Sequence, residues 1–385
     1  MSELKVNSIK GTGASTAAIT IDSSSGGFSG NITNRPNRNL IINGAFQIAQ
    51  RGTSSTTSGL ATVDRFQQIH AGTDEAPTQA RVDVSSGTTP YSLGFRKAFK
   101  ITNGNQTSGA GADDYIWIQT KLEAQHIASS GWNYLSTSSY ITLSFWVKSS
   151  VAQDFKGYLR SRDGTERMYP FNTGSLTADT WTKITKTIPG NSGLQFDNDA
   201  NEGMQLNIGC FFGTNLTNSS TTEDAWATWD STARSKDFTS TWYTTNDATF
   251  EITGVQLEVG SVATDFEHLS EGDNLRRCLR YYFKVGYGVQ YCNVAIGIMA
   301  NTTNFRATVA WPTPMRAAPT LTQSGLDVDS ETSSAPAITG FQAQYNDRFT
   351  GRIQFTCNTA NFGQGQVAQA YTGNTTSFLA GDAEL

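Results

Sequence analysis

Ile141-Thr142-Leu143-Ser144-Phe145-Trp146-Val147-Lys148 decides the fold class. Leu143, Phe145 and Val147 fall on one side of an extended chain and Thr142, Ser144, Trp146 and Lys148 on the other, because side chains of a strand alternate between its faces. A strand with one apolar and one largely polar side belongs to an antiparallel sandwich that keeps one face wet.

Working outward, the same alternation recurs at 40–49, 63–70, 79–84, 95–102 and 115–122, and again at 155–161, 167–171, 180–188, 205–212 and 249–259. Turn residues punctuate nearly every gap. Short helices are predicted at 122–128 and 272–280, and the second marks a domain boundary. Beyond it, strands at 281–289, 292–300, 305–309, 340–345, 348–356 and 366–371 predict a smaller β domain. Before residue 39 only two alternating pieces occur, 4–9 and 17–21, separated by Gly11, Gly13 and Ser23-Ser24-Ser25-Gly26-Gly27. The expectation is an all-β chain: an N-terminal extended arm (1–38), a central antiparallel β-sandwich (39–270) and a C-terminal β domain with a short connector helix (271–385). An arm with so little apolar material orders only by adding strands to a neighbour, so it predicts a partner subunit or a docking site.

Within the predicted strands, Asn43-Gly44 marks a bend in 40–49, and 250–259 is expected to lie beside that first segment. Composition supports the β reading: of 385 residues 36 are glycine and only 16% are charged, which disfavours long helices. The net charge is −5, from 28 Lys+Arg against 33 Asp+Glu, and no basic run supplies a footprint for nucleic acid. Met1-Ser2-Glu3-Leu4-Lys5 lacks the start of a secretion signal and no segment is apolar enough for a membrane span, so synthesis in a cytosol without membrane insertion is expected. Cys210, Cys278, Cys292 and Cys357 are scattered, without CxxC spacing, in apolar or aromatic neighbourhoods, and read as reduced core residues. Asn-x-Ser/Thr triplets occur at Asn31, Asn105, Asn215, Asn218, Asn301 and Asn374, as expected by chance in a chain rich in Asn and Thr.

The segment 213–247 has no strong periodicity yet carries several aromatics among Ser, Thr and Asp, and long aromatic loops usually bind or pack against something. An indole stacks on the C–H face of a sugar while short polar side chains bond its hydroxyls, so Trp226, Trp229, Asp224, Asp230, Trp242 and Tyr243 are the candidate glycan contacts. Packing in the core or against another subunit is the competing reading of the same residues. A second candidate is the outward row Tyr115, Trp117, Gln119 and Lys121, with Trp146 on its own strand; burial under another element is the competing reading there too. Asp197-Asn198-Asp199-Ala200-Asn201-Glu202 gathers oxygen ligands but lacks the spacing of an EF-hand, so a solvated acidic turn and no bound metal or cofactor is expected. His70, His126 and His268 show no HExxH spacing, and neither a GxSxG elbow nor a P-loop occurs. Asp113-Asp114 and Glu123 could in principle supply a carboxylate pair, but a chance pair is expected among so many acids. The chain reads as a non-enzyme.

Several phrases in order resemble bacteriophage tail-fibre and related virion appendage proteins: SELKVNSIKGTGASTAAITID at the start, NRNLIINGAFQIAQRGTS with VDRF, then ITLSFWVKSS and ITGVQLEVGSVATDFEH. LRRCLRYY resembles the arginine-rich connector of that family and VAWPTPMRAAPTLT the opening of its C-terminal head. The resemblance implies a jelly-roll sandwich similar to carbohydrate-binding modules, in a homotrimeric subunit on the phage tail or capsid surface. It further implies attachment to other virion proteins through the arm and contact with a bacterial surface polysaccharide. An architectural decoration or adaptor subunit and a depolymerase are the alternatives.

Overall fold

The computed structural model describes residues 6, 8–9, 19–21, 28–30, 37–330, 334–335 and 338–385. Three short strands, β1 (Ser8–Ile9), β2 (Ile19–Ile21) and β3 (Phe28–Gly30), pair antiparallel in that order. The rest of the predicted arm up to residue 36 lies outside the described residues.

The sandwich follows with β4 (Ser54–Ser55), β5 (Phe66–Ala71), β6 (Thr78–Asp83), β7 (Lys97–Thr102), β8 (Tyr115–Glu123) and β9 (Tyr140–Ser149). It is completed by β10 (Asp154–Ser161), β11 (Arg167–Ser175), β12 (Thr182–Pro189), β13 (Glu202–Phe212), β14 (Ala227–Thr228) and β15 (Thr249–Val259). A front sheet runs β14-β11-β10-β13-β8-β5 and a back sheet β12-β9-β15-β7-β6-β4. Leu143, Phe145 and Val147 of β9 are fully buried against Phe155, Leu159, Phe171, Leu206 and Ile208 of the front sheet, in one core. Each such side chain contributes roughly 1.5–3 kcal/mol by leaving water.

The predicted strand at 40–49 is instead a run of turns and irregular backbone. Asn43 and Phe46 adopt φ of 62° and 55°, which a strand does not accommodate. The Asn43 side chain, donating to the Ile48 and Asp64 carbonyls at 2.9 Å each, holds the turn. The segment does lie beside β15, because Leu40 N–H donates to the Leu257 carbonyl and Val255 N–H to the Gly44 carbonyl. A side chain at Gly44 would meet the Val255 carbonyl oxygen at 2.0 Å, so that crossing requires glycine.

The predicted first helix is shorter than expected: β8 runs to Glu123, and α2 of the four short helices α1 (Thr89–Ser92), α2 (Ala124–Ala128), α3 (Thr241–Thr244) and α4 (Glu271–Leu279) begins there. The connector α4 is capped by the Ser270 hydroxyl, which accepts from Asp273 N–H, with acids in its first turn and Arg276 and Arg277 in its last.

After α4 come β16 (Tyr282–Val285), β17 (Asn293–Met299), β18 (Asn304–Ala310), β19 (Thr320–Ser324) and β20 (Leu326–Asp329). The chain ends with β21 (Ser334–Ala335), β22 (Ile338–Gln344), β23 (Thr350–Cys357), β24 (Val367–Thr372) and β25 (Phe378–Asp382). They form a three-stranded sheet, β16-β25-β19, and a seven-stranded sheet, β21-β20-β24-β17-β18-β23-β22. A separate core of Phe283, Met299, Phe305, Trp311, Val328, Ile353, Phe355 and Leu379 lies between them. All four cysteines are free, and three of them, Cys210, Cys278 and Cys357, are buried.

The two bodies meet at a buried polar seam. Glu123, fully enclosed at the end of β8, receives Arg280 Nε and Nη2 at 2.7 Å each and the Tyr281 hydroxyl at 2.6 Å. Burial alone would raise this carboxyl, but the Arg280 and Tyr281 hydrogen bonds outweigh it and hold the group at about 2. Arg65 stacks on the Tyr281 ring at 3.5 Å and pairs with Glu384, while Arg51 stacks on Tyr282 at 3.7 Å and pairs with Asp382 at 2.9 Å.

Candidate functional site

The outer face of the front sheet carries two rows of polar side chains, buried toward its middle and partly exposed toward its margin. Cross-strand register places Gln67, Gln119, Asn207 and Tyr158 in one row across β5, β8, β13 and β10. Gln67 Nε2 donates to Gln119 Oε1 at 2.6 Å and Gln119 Nε2 donates to Asn207 Oδ1 at 2.7 Å, so the amides form a directed chain. The adjacent row is Lys121, Gln205 and Arg160. Here Glu202 takes Lys121 Nζ at 2.9 Å and Arg162 Nε at 2.9 Å, and Glu166 takes Arg160 Nε at 2.8 Å.

Residues 213–238 fold over the other half of this face. Trp229 N–H donates to the Glu166 carbonyl, which fixes the loop to the end of β10 and β11. The Trp229 ring lies 5.5 Å from that of Tyr158 and has the Arg160 guanidinium 3.7 Å from its centre, on the order of 1 kcal/mol for a partly exposed cation–π contact. Arg234 approaches both Trp229 and Trp117, and Phe238 packs edge-on against Phe212. Trp117, Tyr158 and Phe212 are buried beneath the loop, whereas Trp229 stays half-buried at its margin. Burial pushes the Tyr158 hydroxyl up to about 12, so it remains a neutral donor at every physiological pH.

The six loop candidates therefore separate. Trp229 belongs to this face. Trp226 lies on the neighbouring edge, edge-on to Tyr169 at 5.3 Å with its indole N–H donating to the Pro189 carbonyl at 2.7 Å. Asp224 is exposed and pairs with Lys186 at 3.1 Å, and Asp230 closes a turn with Thr232. Trp242 and Tyr243 are corrected from glycan contacts to core residues: they are 0% and 1% exposed, on α3. The Trp242 indole donates to the Thr249 carbonyl, and Tyr243 stacks on Phe211 and donates its hydroxyl to Asp114 at 3.0 Å. Most aromatics of the 213–247 segment are packed by the chain's own front sheet and core, the competing reading of these residues.

Of the second candidate row, Gln119 is the middle of the amide chain and Lys121 lies in the adjacent row, Tyr115 and Trp117 lie under the loop, and Trp146 is on the outer face of the back sheet. Sequence reasoning missed Gln67, Tyr158, Arg160, Asn207 and Arg234. The alternation in Asp154–Ser161 could have found Tyr158 and Arg160 on one side of β10, but only sheet order brings Gln67 and Asn207 beside Gln119.

Among the described residues no three of His, Cys, Asp and Glu gather as a metal site. The acidic turn is engaged internally: Asp199 accepts from Asn201 N–H at 2.9 Å, and Asp163 accepts from Asp197 N–H at 3.0 Å. Asp114 and Glu123 stand at opposite ends of β8, roughly 30 Å apart at strand rise, whereas a glycosidase pair needs ~5–10 Å. What the face can do is bind. A half-buried indole supplies a platform for a sugar's C–H face, and the partly exposed Arg160, Arg162 and Glu166 side chains near it supply donors and acceptors for hydroxyls, while the amide row, with Gln119 and Asn207 at 6% and 0% exposure, is buried and spent within the sheet.

No family model matches this chain, and no curated protein matches it. Solved structures of similar shape include the enzymatically active domain of tailspike protein 4 of bacteriophage CBA120, at TM-score 0.31 and 10% identity over 59% of this chain and 22% of that one. The N-terminal cellulose-binding domain of Cellulomonas fimi β-1,4-glucanase C matches at TM-score 0.26 and 10% identity, over 56% of this chain and 98% of that domain. The tripod from the baseplate of bacteriophage Tuc2009 matches at 0.27 and 14% identity, over 63% and 61%. Phage appendage proteins and carbohydrate-binding modules thus both occur among the neighbours, but likenesses of this size carry no argument about what the chain does. Among the described residues no helix is long and apolar enough to cross a membrane.

Proposed function

We propose that this chain is a structural subunit of a bacteriophage particle, a tail-fibre or surface-appendage protein, that contacts a bacterial surface polysaccharide through the outer face of its front sheet. The observation that carries the reading is the half-buried Trp229, held by Arg160 beside the partly exposed Glu166 at the open margin of that face. The ordered resemblance of the sequence to virion appendage proteins supports the placement on the particle, and several copies held together would make weak individual sites sufficient.

The test is binding of the purified full chain to polysaccharide extracted from candidate host envelopes. Retention without shortening is expected, with Trp229→Ala and Arg160→Ala each weakening binding at least ~10-fold. Shortening of the polysaccharide would replace this reading with a depolymerase. Absence of binding to any envelope fraction would replace it with a purely architectural subunit.

A further inference from the structure

The outer face of the back sheet holds a pit on the opposite side of the sandwich from Trp229. Its origin is a bulge in β15: the register with β9 shifts between Thr253 and Gln256, and Gly254 takes a φ of 65° inside the shift. A side chain at Gly254 would strike the Phe95 ring at 2.6 Å, so β15 offers bare backbone here. A cavity of about 230 Å³ opens beside it.

Part of the lining is aromatic. Phe95, Phe266 and His268 pack on one another with ring centres 5.0 to 5.1 Å apart, and His268 Nε2 donates to the Leu93 carbonyl at 2.9 Å, which fixes the imidazole. The half-buried Trp146 lines the same cavity from β9, between Lys183 of β12 and Thr253 of β15 in the cross-strand register. Its indole N–H meets no acceptor among the described residues, and no second ring stacks on it.

The polar groups of the lining are likewise unspent. Ser144 stands two residues before Trp146 on the same side of β9, and its hydroxyl has no partner among the described residues. The exposed Lys183 ammonium and the exposed Asp265 carboxylate line the one cavity, yet among the described residues neither forms a salt bridge or a side-chain hydrogen bond. By contrast Lys148, on the next row of the same face, pairs with Glu251 at 3.1 Å.

We infer that this cavity binds one neutral pyranose unit of a glycan, its C–H face on the Trp146 indole and its hydroxyls shared between the Asp265 carboxylate as acceptor and the Lys183 ammonium as donor. The lining selects that class of ligand. An indole takes the apolar side of a sugar ring, and the two oxygens of a carboxylate accept from two adjacent hydroxyls. One cation set against one carboxylate leaves no net charge to favour an anion or a cation. The site is separate from the front-sheet margin, and either can fail alone.

Fluorine resonances of the full chain carrying fluorotryptophan test it, with the Trp146 and Trp229 signals assigned from Trp146→Phe and Trp229→Phe. Titration with the methyl glycosides of glucose, galactose, mannose and N-acetylglucosamine should move the Trp146 signal with at least one of them. Asp265→Ala and Lys183→Ala remove exposed side chains and should each raise the dissociation constant at least ~10-fold, with far-ultraviolet circular dichroism unchanged. A Trp146 signal unmoved by every glycoside overturns the inference, as does one that moves equally in both variants or moves with phosphocholine alone. Movement of Trp229 alone would support the front-sheet site and overturn this one.

Discussion

The sandwich and the C-terminal domain solve the problem of a sheet's second face in opposite ways. In the sandwich the chain attends to itself: residues 213–238 cover half of the front sheet, and charges on the outer faces find partners, as in Lys148–Glu251, Lys156–Asp154 and Arg160–Glu166. In the C-terminal domain nothing crosses the seven-stranded sheet among the described residues, and every salt bridge found there lies in the sandwich or at the seam. The difference teaches where to look for contacts between molecules. On the front sheet of the first, what stays open is the margin around Trp229; on the second, Ile296, Ile298 and Val367 stand exposed while Arg306 and Arg352 donate to the neighbouring Gln354 and Gln344.

The largest test of this contrast falls on the seam that joins the two bodies. Glu123→Ala leaves the half-buried Arg280 and the buried Tyr281 hydroxyl without their partner and should cost about 3–5 kcal/mol in denaturant unfolding, separating the transitions of the two domains. Next, Leu143→Ala removes a fully buried side chain from the sandwich and should cost about 2–5 kcal/mol, while Ile296→Ala should leave the unfolding of a single chain within about 0.5 kcal/mol. If Ile296→Ala proved as damaging as Leu143→Ala, the face would be internal packing and the contrast would fail.

Acid should probe the seam more gently. Because Glu123 is held at about 2 against an ordinary 4.5, its stabilisation is full above 4.5 and disappears as pH falls toward 2, at most roughly 3 kcal/mol. Asp64, raised by burial to about 6, acts in reverse: its contribution is present below 3.8 and lost as pH rises through 6. Stability measured against pH should therefore be highest between about 3.8 and 4.5, falling on the acid side through Glu123 and toward 6 through Asp64, and Glu123→Gln should remove the acid limb alone. Smallest of all, Asp224→Asn at the exposed pair with Lys186 should shift stability by less than about 1 kcal/mol.

Much of this was legible beforehand, for identifiable reasons. Strands such as β9 and β13 announce themselves because one face is core, and the alternation of Leu143, Phe145 and Val147 is local information. Residues 40–49 carry an equally apolar pattern and yet form turns, because Asn43 there is held by partners at Ile48, Asp64 and Asn274, the farthest of them more than two hundred residues away. β19, β20 and β25 were missed, since five residues or fewer hardly display a period. The candidate site was legible in kind but not in membership. Loop composition pointed to aromatics, but Trp229 and Trp242 look alike in sequence, and only the fold sends one to the margin and the other into the core.

The grip on Glu123 also has a mechanical side. β8 is flanked by β13 and β5, so its backbone hydrogen bonds lie on both sides and run across its length. A tug on the C-terminal domain enters this strand from its end through Arg280 and loads those bonds together in shear, instead of peeling them one at a time from an edge. A load on the C-terminal domain would thus fall first on the strand next to the sheet's edge, which gives way only when its bonds to both β13 and β5 do.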